Sequence, residues 1–156
     1  MTRIWCTSFL LIMASVMATG TAGGVAEVSI EDAWVRAMPP SQRNTAAYMN
    51  VINRSETDLY ILGASSTTGA TVEIHTTREV DGMVRMERVE RTLVAPGQTI
   101  QFAPGGMHLM ILGLEKMPAP GEHLSLCLEI ASREAACTVA EVRRAAPSAH
   151  DKMHHH

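Results

Sequence analysis

From Val25 to Val142 the chain never sustains a helical period. Short runs rich in Val, Ile, Leu, Tyr and Thr are cut every few residues by Gly, Pro, Asn or Asp. A helix needs roughly ten or more residues to present a buried stripe, whereas about five serve a strand. Breaks fall at Pro39-Pro40, Ser55–Asp58, Asp81-Gly82, Pro96-Gly97, Pro104-Gly105-Gly106 and Pro118–Gly121. Strands are expected near Ala26–Ala37, Ala46–Asn53, Leu59–Ala64, Thr71–Thr77, Met83–Val89, Thr99–Phe102, His108–Leu112, Leu124–Ala131 and Cys137–Arg143. Many short strands at this spacing predict an all-β domain, a sandwich or barrel with Greek-key connections. Trp34 and Tyr48 are expected to pack its core.

The first 26 residues differ in kind. Arg3 is the only charge before Glu27, an apolar stretch runs through Ile4–Met17, and small residues follow from Ala18 to Gly24. That order reads as a secretory signal peptide over residues 1–26, cleaved after Ala22 or Ala26. An N-terminal membrane anchor is the rival reading, but the firmly apolar part is shorter than the roughly 20 residues a spanning helix needs, so cleavage is expected, with no membrane insertion after it. Cys6 belongs to the leader and not to the mature protein. Export in turn bears on Cys127 and Cys137, an even pair in an oxidising compartment. Both stand five residues from Ser132, the centre of an expected hairpin, so a cross-strand disulfide fits. Two buried free thiols are the rival reading; a thiolate metal site lacks the usual C-x-x-C spacing.

With 156 residues, the chain has the length of one domain. Its net charge of −3, the absence of a basic run and an aromatic content of 4% argue against nucleic acid as a partner. No G-x-S-x-G or H-E-x-x-H motif and no evident triad is present, so no hydrolase is expected. The unusual counts are 11 Met and 7 His, a combination of thioether and imidazole that suits soft late transition metals such as copper.

Four of these residues can converge. In His108-Leu109-Met110 the His and Met are two apart, hence on one face of a strand, with Leu109 turned into the core. His75 and Met86 flank the turn signal Asp81-Gly82. A two-residue turn there sets Met86 opposite Thr77 and makes His75 its diagonal neighbour; a longer loop, Glu79–Gly82, would set His75 and Met86 directly opposite. Two imidazoles and two thioethers form a soft, neutral set suited to Cu(I), whereas zinc recruits Cys or carboxylate. Any one of the four alone would read as a core filler or a surface group. Met83, Met107 and Met117 are read as non-ligands, and His123 as a surface residue.

The spacing His75-x10-Met86-x21-His108-x-Met110 resembles that of the periplasmic copper chaperones of the PCu(A)C family. Similar blocks recur in order: Asp32-Ala33-Trp34-Val35-Arg36, Thr45-Ala46-Ala47-Tyr48, Val72-Glu73-Ile74-His75, Pro104-Gly105-Gly106-Met107-His108-Leu109-Met110 and Pro120-Gly121-Glu122. The resemblance covers roughly residues 27–143. It implies a cupredoxin-like β-barrel, a periplasmic location, and a Cu(I) metallochaperone that is not an enzyme. Its implied partner is a haem-copper respiratory oxidase subunit, or another copper assembly protein. A copper-buffering or tolerance protein without a dedicated recipient is the alternative. A blue-copper protein would need a Cys thiolate beside two His, which the order of residues does not offer. The copper domain is thus expected over residues 27–144, as a monomer.

Residues 145–156 form a polar tail rich in His and Met. His150, Met153, His154, His155 and His156 are a candidate second copper site, with imidazole nitrogen favouring Cu(II). The terminal histidines read alternatively as a cloning remnant.

Overall fold

The computed structural model describes residues 27–144. The leader with Cys6 and the tail with His150, Met153, His154, His155 and His156 lie outside the described residues. Ten strands form in order: β1 Val28–Arg36, β2 Thr45–Asn53, β3 Leu59–Ser66, β4 Thr71–Val80, β5 Met83–Arg88, β6 Thr92–Val94, β7 Thr99–Phe102, β8 Met107–Leu112, β9 His123–Ile130 and β10 Ala136–Arg143. Nine of them correspond to the expected strands. The tenth, β6, is three residues long and pairs only with β3, so it carries too little periodicity to be read in sequence.

The strands join in one sheet in the order β5-β4-β8-β2-β1-β10-β9-β3-β6, with β7 also paired to β2. The β1–β10 pairing is parallel and the others are antiparallel. Inward side chains from β1 to β10, β5 excepted, meet in one apolar core that includes Val35, Met49, Ile61, Ile74, Phe102, Leu109, Leu128 and Val142. Among the described residues no helix is long and apolar enough to cross a membrane.

Alternation along β1 is broken once. Its register against β2 shifts between Glu31 and Trp34, where Asp32 adopts a φ of 52°. The extra residue makes a β-bulge, which moves every later side chain to the opposite face. Before the bulge Val28 and Ile30 pack on the core; after it Ala33 and Val35 do. Trp34 is thereby turned to the outer face, beside its register partner Tyr48. Both rings are buried, with centroids 4.5 Å apart, yet neither belongs to the main core. Both are buried hydrophobics, as expected, but they pack on each other outside the main cluster: unbroken alternation would have sent Trp34 inward, and the bulge prevents it.

At the other end of the chain, Cys127 and Cys137 are direct register partners on β9 and β10. They are joined by a disulfide with an S–S distance of 2.06 Å.

Candidate metal centre

The β4–β5 hairpin turns on Asp81 and Gly82, with φ of 54° and 73°. Positive φ at both central residues defines the turn whose twist matches a two-residue hairpin, and Asp-Gly is a favoured pair for it. Val80 then pairs with Met83, and Thr77 with Met86. Of the two registers open from sequence, the shorter turn is the one formed. His75 faces Arg88 across the hairpin, and Met86 is its diagonal neighbour.

On its other side β4 pairs with β8. His75 lies directly opposite His108, and Glu73 opposite Met110. Leu109 is fully buried in the core, so His108 and Met110 share the outer face as their spacing predicts. Next comes β2, where Ala46 pairs with Met110. The outer face of four adjacent strands thus carries Met86, His75, His108, Met110 and Tyr48 in a band.

Met86, His108 and Met110 line one shallow cleft of about 350 Å³, together with Tyr48, Thr77 and Arg36. His75 stands beside this cleft, its ring centroid 6.1 Å from that of His108. Metal–imidazole bonds run about 2.0–2.1 Å, which puts an ion roughly 3 Å from each ring centroid and two bridged rings roughly 6 Å apart. The observed separation therefore accommodates one ion between the rings. Arg36 is the one charged residue in the cleft lining. Without a carboxylate in its wall, the cleft is a poor home for hard cations. Among the described residues no group of three or more His, Cys, Asp or Glu converges, so a metal held in this cleft would need thioether donors as well.

The imidazoles are held differently. His108 is 5% exposed, and its Nδ1 lies 3.0 Å from the carbonyl oxygen of Gly106. The Tyr48 ring stands behind it at 6.4 Å, with Trp34 behind Tyr48 and the Arg36 guanidinium 5.5 Å over the Tyr48 ring. Burial pushes the Tyr48 hydroxyl above its ordinary value, against a downward pull from Arg36. His75 instead directs Nε2 to Glu73 Oε2 at 2.9 Å, and Arg88 Nη1 holds the other oxygen of Glu73 at 3.1 Å. Met86 is 60% exposed on the edge strand, whereas Met110 is half-buried.

The sequence reading missed the supporting residues Glu73, Arg88, Arg36 and Tyr48. Glu73-Ile74-His75 carried a signal for the first, since residues two apart on a strand share a face. Of the other methionines, Met107 packs against the core and accepts the Thr92 hydroxyl at 3.9 Å, and Met117 is buried in the core. Met83 is exposed and alternates away from Met86. His123 is exposed at the start of β9.

Residues 28–142 match the sequence pattern of the family described as "Putative lipoprotein LpqE-like". The chain belongs to this LpqE-like family. A relative in Leifsonia xyli subsp. xyli, named "Putative lipoprotein Lxx21020", is 30% identical over 102 residues, 65% of this chain and 60% of the relative. The chain therefore spans less than two thirds of that relative's length. Among solved structures, the copper-bound PCuAC domain of PmoF2 is similar with a TM-score of 0.62 at 23% identity, over 76% of this chain and 94% of that one. The Cu(I) solution structure of DR1885 from Deinococcus radiodurans has a TM-score of 0.62 at 27% identity, covering 80% and 83%. Its apo form has a TM-score of 0.60 at 25% identity, covering 93% and 97%. The LpqE-like chain thus has the cupredoxin-like β fold of PCuAC domains, as the sequence blocks implied, and its structural neighbours include copper-bound proteins.

Proposed function

We propose that this LpqE-like protein is an extracytoplasmic metallochaperone that carries Cu(I) on His75, Met86, His108 and Met110. The observation that carries this reading is the convergence of three of these side chains on one cleft, with His75 paired to His108 beside it. All four donors are neutral, and the thioethers are soft and need no proton removed, so they suit Cu(I) in an oxidising compartment. Copper is cargo here. A shallow site with Met86 on an exposed edge lets an incoming donor replace one ligand at a time.

The recipient we propose is the copper centre of a haem-copper respiratory oxidase, reached directly or through another copper assembly protein. The 1–26 leader sends the chain to the periplasm, where it acts as a monomer. The 145–156 tail, through His150, Met153, His154, His155 and His156, captures Cu(II) at a second site. The alternative is copper buffering without a dedicated recipient.

Competition with a Cu(I) chelator tests the core site. The Met86→Ala, Met110→Ala double variant is expected to lose affinity by at least tenfold; unchanged affinity sinks the four-ligand reading. Deletion of the gene separates chaperone from buffer. Loss of oxidase activity at low copper supports delivery, whereas copper sensitivity with intact oxidase supports buffering. For the tail, Cu(II) stoichiometry of a form ending at Arg144 is expected to fall, and an unchanged value removes the second site.

A further inference from the structure

Each imidazole of the candidate centre has one nitrogen occupied by a group that can only accept. For His75 the group is the Glu73 carboxylate, whose Oε2 lies 2.9 Å from Nε2. For His108 it is the Gly106 carbonyl, whose oxygen lies 3.0 Å from Nδ1. A neutral imidazole has one N–H donor and one lone-pair nitrogen, and a hydrogen bond to an acceptor decides which is which. His75 thus holds its proton on Nε2 and keeps the Nδ1 lone pair. His108 does the reverse, with its proton on Nδ1 and the lone pair on Nε2.

Glu73 is itself braced. Arg88 occupies its Oε1, so the carboxylate is fixed at both ends between the guanidinium and the imidazole. Arg88 is also the direct register partner of His75 on β5, and Glu73 precedes His75 by two residues on the same face of β4. The three groups therefore form one connected arrangement on the edge of the cleft. With only the far nitrogen of His75 free, the ring can engage an ion through one atom alone.

We propose that Glu73 is a positioning residue that commits His75 to present Nδ1, with Arg88 as its brace, so that the centre uses Nδ1 of one imidazole and Nε2 of the other. This rests on reading His75 as a copper ligand. Outer partners of this kind fix ring orientation, and their loss typically costs 10- to 100-fold in metal affinity.

The test is imidazole nitrogen NMR on the 15N-labelled protein, above the range in which His titrates, before and after Cu(I) under anaerobic conditions. Cu(I) is expected to shift Nδ1 of His75 and Nε2 of His108. Glu73→Leu is expected to lower Cu(I) affinity by about 10- to 100-fold. Glu73→Gln keeps a carbonyl acceptor for the Nε2 proton, so it should retain the Nδ1 shift and most of the affinity. That rescue separates positioning from charge, and the conservative change guards against misfolding. A copper shift on Nε2 of His75 overturns this inference and leaves the ligand reading standing. No shift on either nitrogen of His75 overturns both. A Glu73→Leu variant with wild-type affinity and the Nδ1 shift also overturns the positioning role.

Discussion

His75 and His108 face each other as direct partners across the β4–β8 ladder, with ring centroids 6.1 Å apart. In the proposed copper site the pair would act as a preformed chelate, since the ladder fixes their separation before any ion arrives. Groups that act as one unit are not additive when removed singly. Either single change, His75→Ala or His108→Ala, is therefore expected to abolish most Cu(I) affinity. The double change should cost clearly less than the sum of the two. The changes should differ in folding. His108 is buried, so its removal loses packing as well as one hydrogen bond to the Gly106 carbonyl, which still accepts the Thr77 N–H, a loss of about 1–3 kcal/mol. His75→Ala leaves Glu73 still paired to Arg88 and should cost about 1 kcal/mol. Chelator competition and urea denaturation on the three variants read both effects. Additive copper losses would show that the rings bind separately.

Met86 is expected to behave differently from Met110. It projects from an edge strand whose residues are all exposed, so its side chain contributes little to folding. Met86→Ala should change stability by less than about 0.5 kcal/mol. Copper release to a chelator should be faster than in the wild type, because one donor is already missing from the open side. Met110 is half-buried between Glu73 and Ala46, and Met110→Ala should lower both stability and affinity. Stopped-flow release with a parallel urea titration is the measurement. Equal stability losses for the two would contradict the exposure argument.

How far the sequence reveals this centre depends on the range of each signal. The two-residue offset of His108 and Met110 is local, and so is the Asp81-Gly82 turn that sets Met86 opposite Thr77; both were legible. The pairing of β4 with β8, which joins the two pairs, is a long-range choice that no local pattern encodes. It came only through the resemblance of ordered blocks. The bulge at Asp32 was illegible for a different reason. A single residue in the left-handed region reverses the face of Trp34 and leaves no mark on composition or hydropathy. Asp tolerates that conformation better than most residues, which makes the position understandable afterwards but weak as a forecast.

The Tyr48 hydroxyl offers a pH test of the aromatic wall behind His108. Burial raises its ionisation above the ordinary tyrosine value, with Arg36 opposing. A group whose folded value is raised contributes stability that is present below its unfolded value and lost as pH rises through the folded one. Stability should therefore decline above about pH 10, and Tyr48→Phe should flatten that decline. The chain has two tyrosines, so Tyr60→Phe leaves Tyr48 as the sole reporter of the ultraviolet phenolate band. A Tyr48 titration at or below the ordinary value would mean that the ring is open to water and does not back the imidazole.

The disulfide should matter to folding and not to copper. Cys127 and Cys137 are separated by 10 residues, and closing a loop of that length is worth about 3 kcal/mol in the chain-entropy model. They lie on β9 and β10, whereas the candidate ligands lie on β4, β5 and β8. Strands β2 and β1 stand between the two groups in the sheet. The Cys127→Ser, Cys137→Ser variant is expected to lose about 2–3 kcal/mol in urea denaturation and to keep its Cu(I) affinity. Thiol counting on unreduced, denatured protein should find neither cysteine free; two free thiols per chain would remove the basis for the stability loss. A fall in Cu(I) affinity in the double variant at full folding would place a sulfur of this pair in the copper path. The intervening strands argue against that outcome, because neither Cys127 nor Cys137 lines the cleft that holds His108, Met86 and Met110.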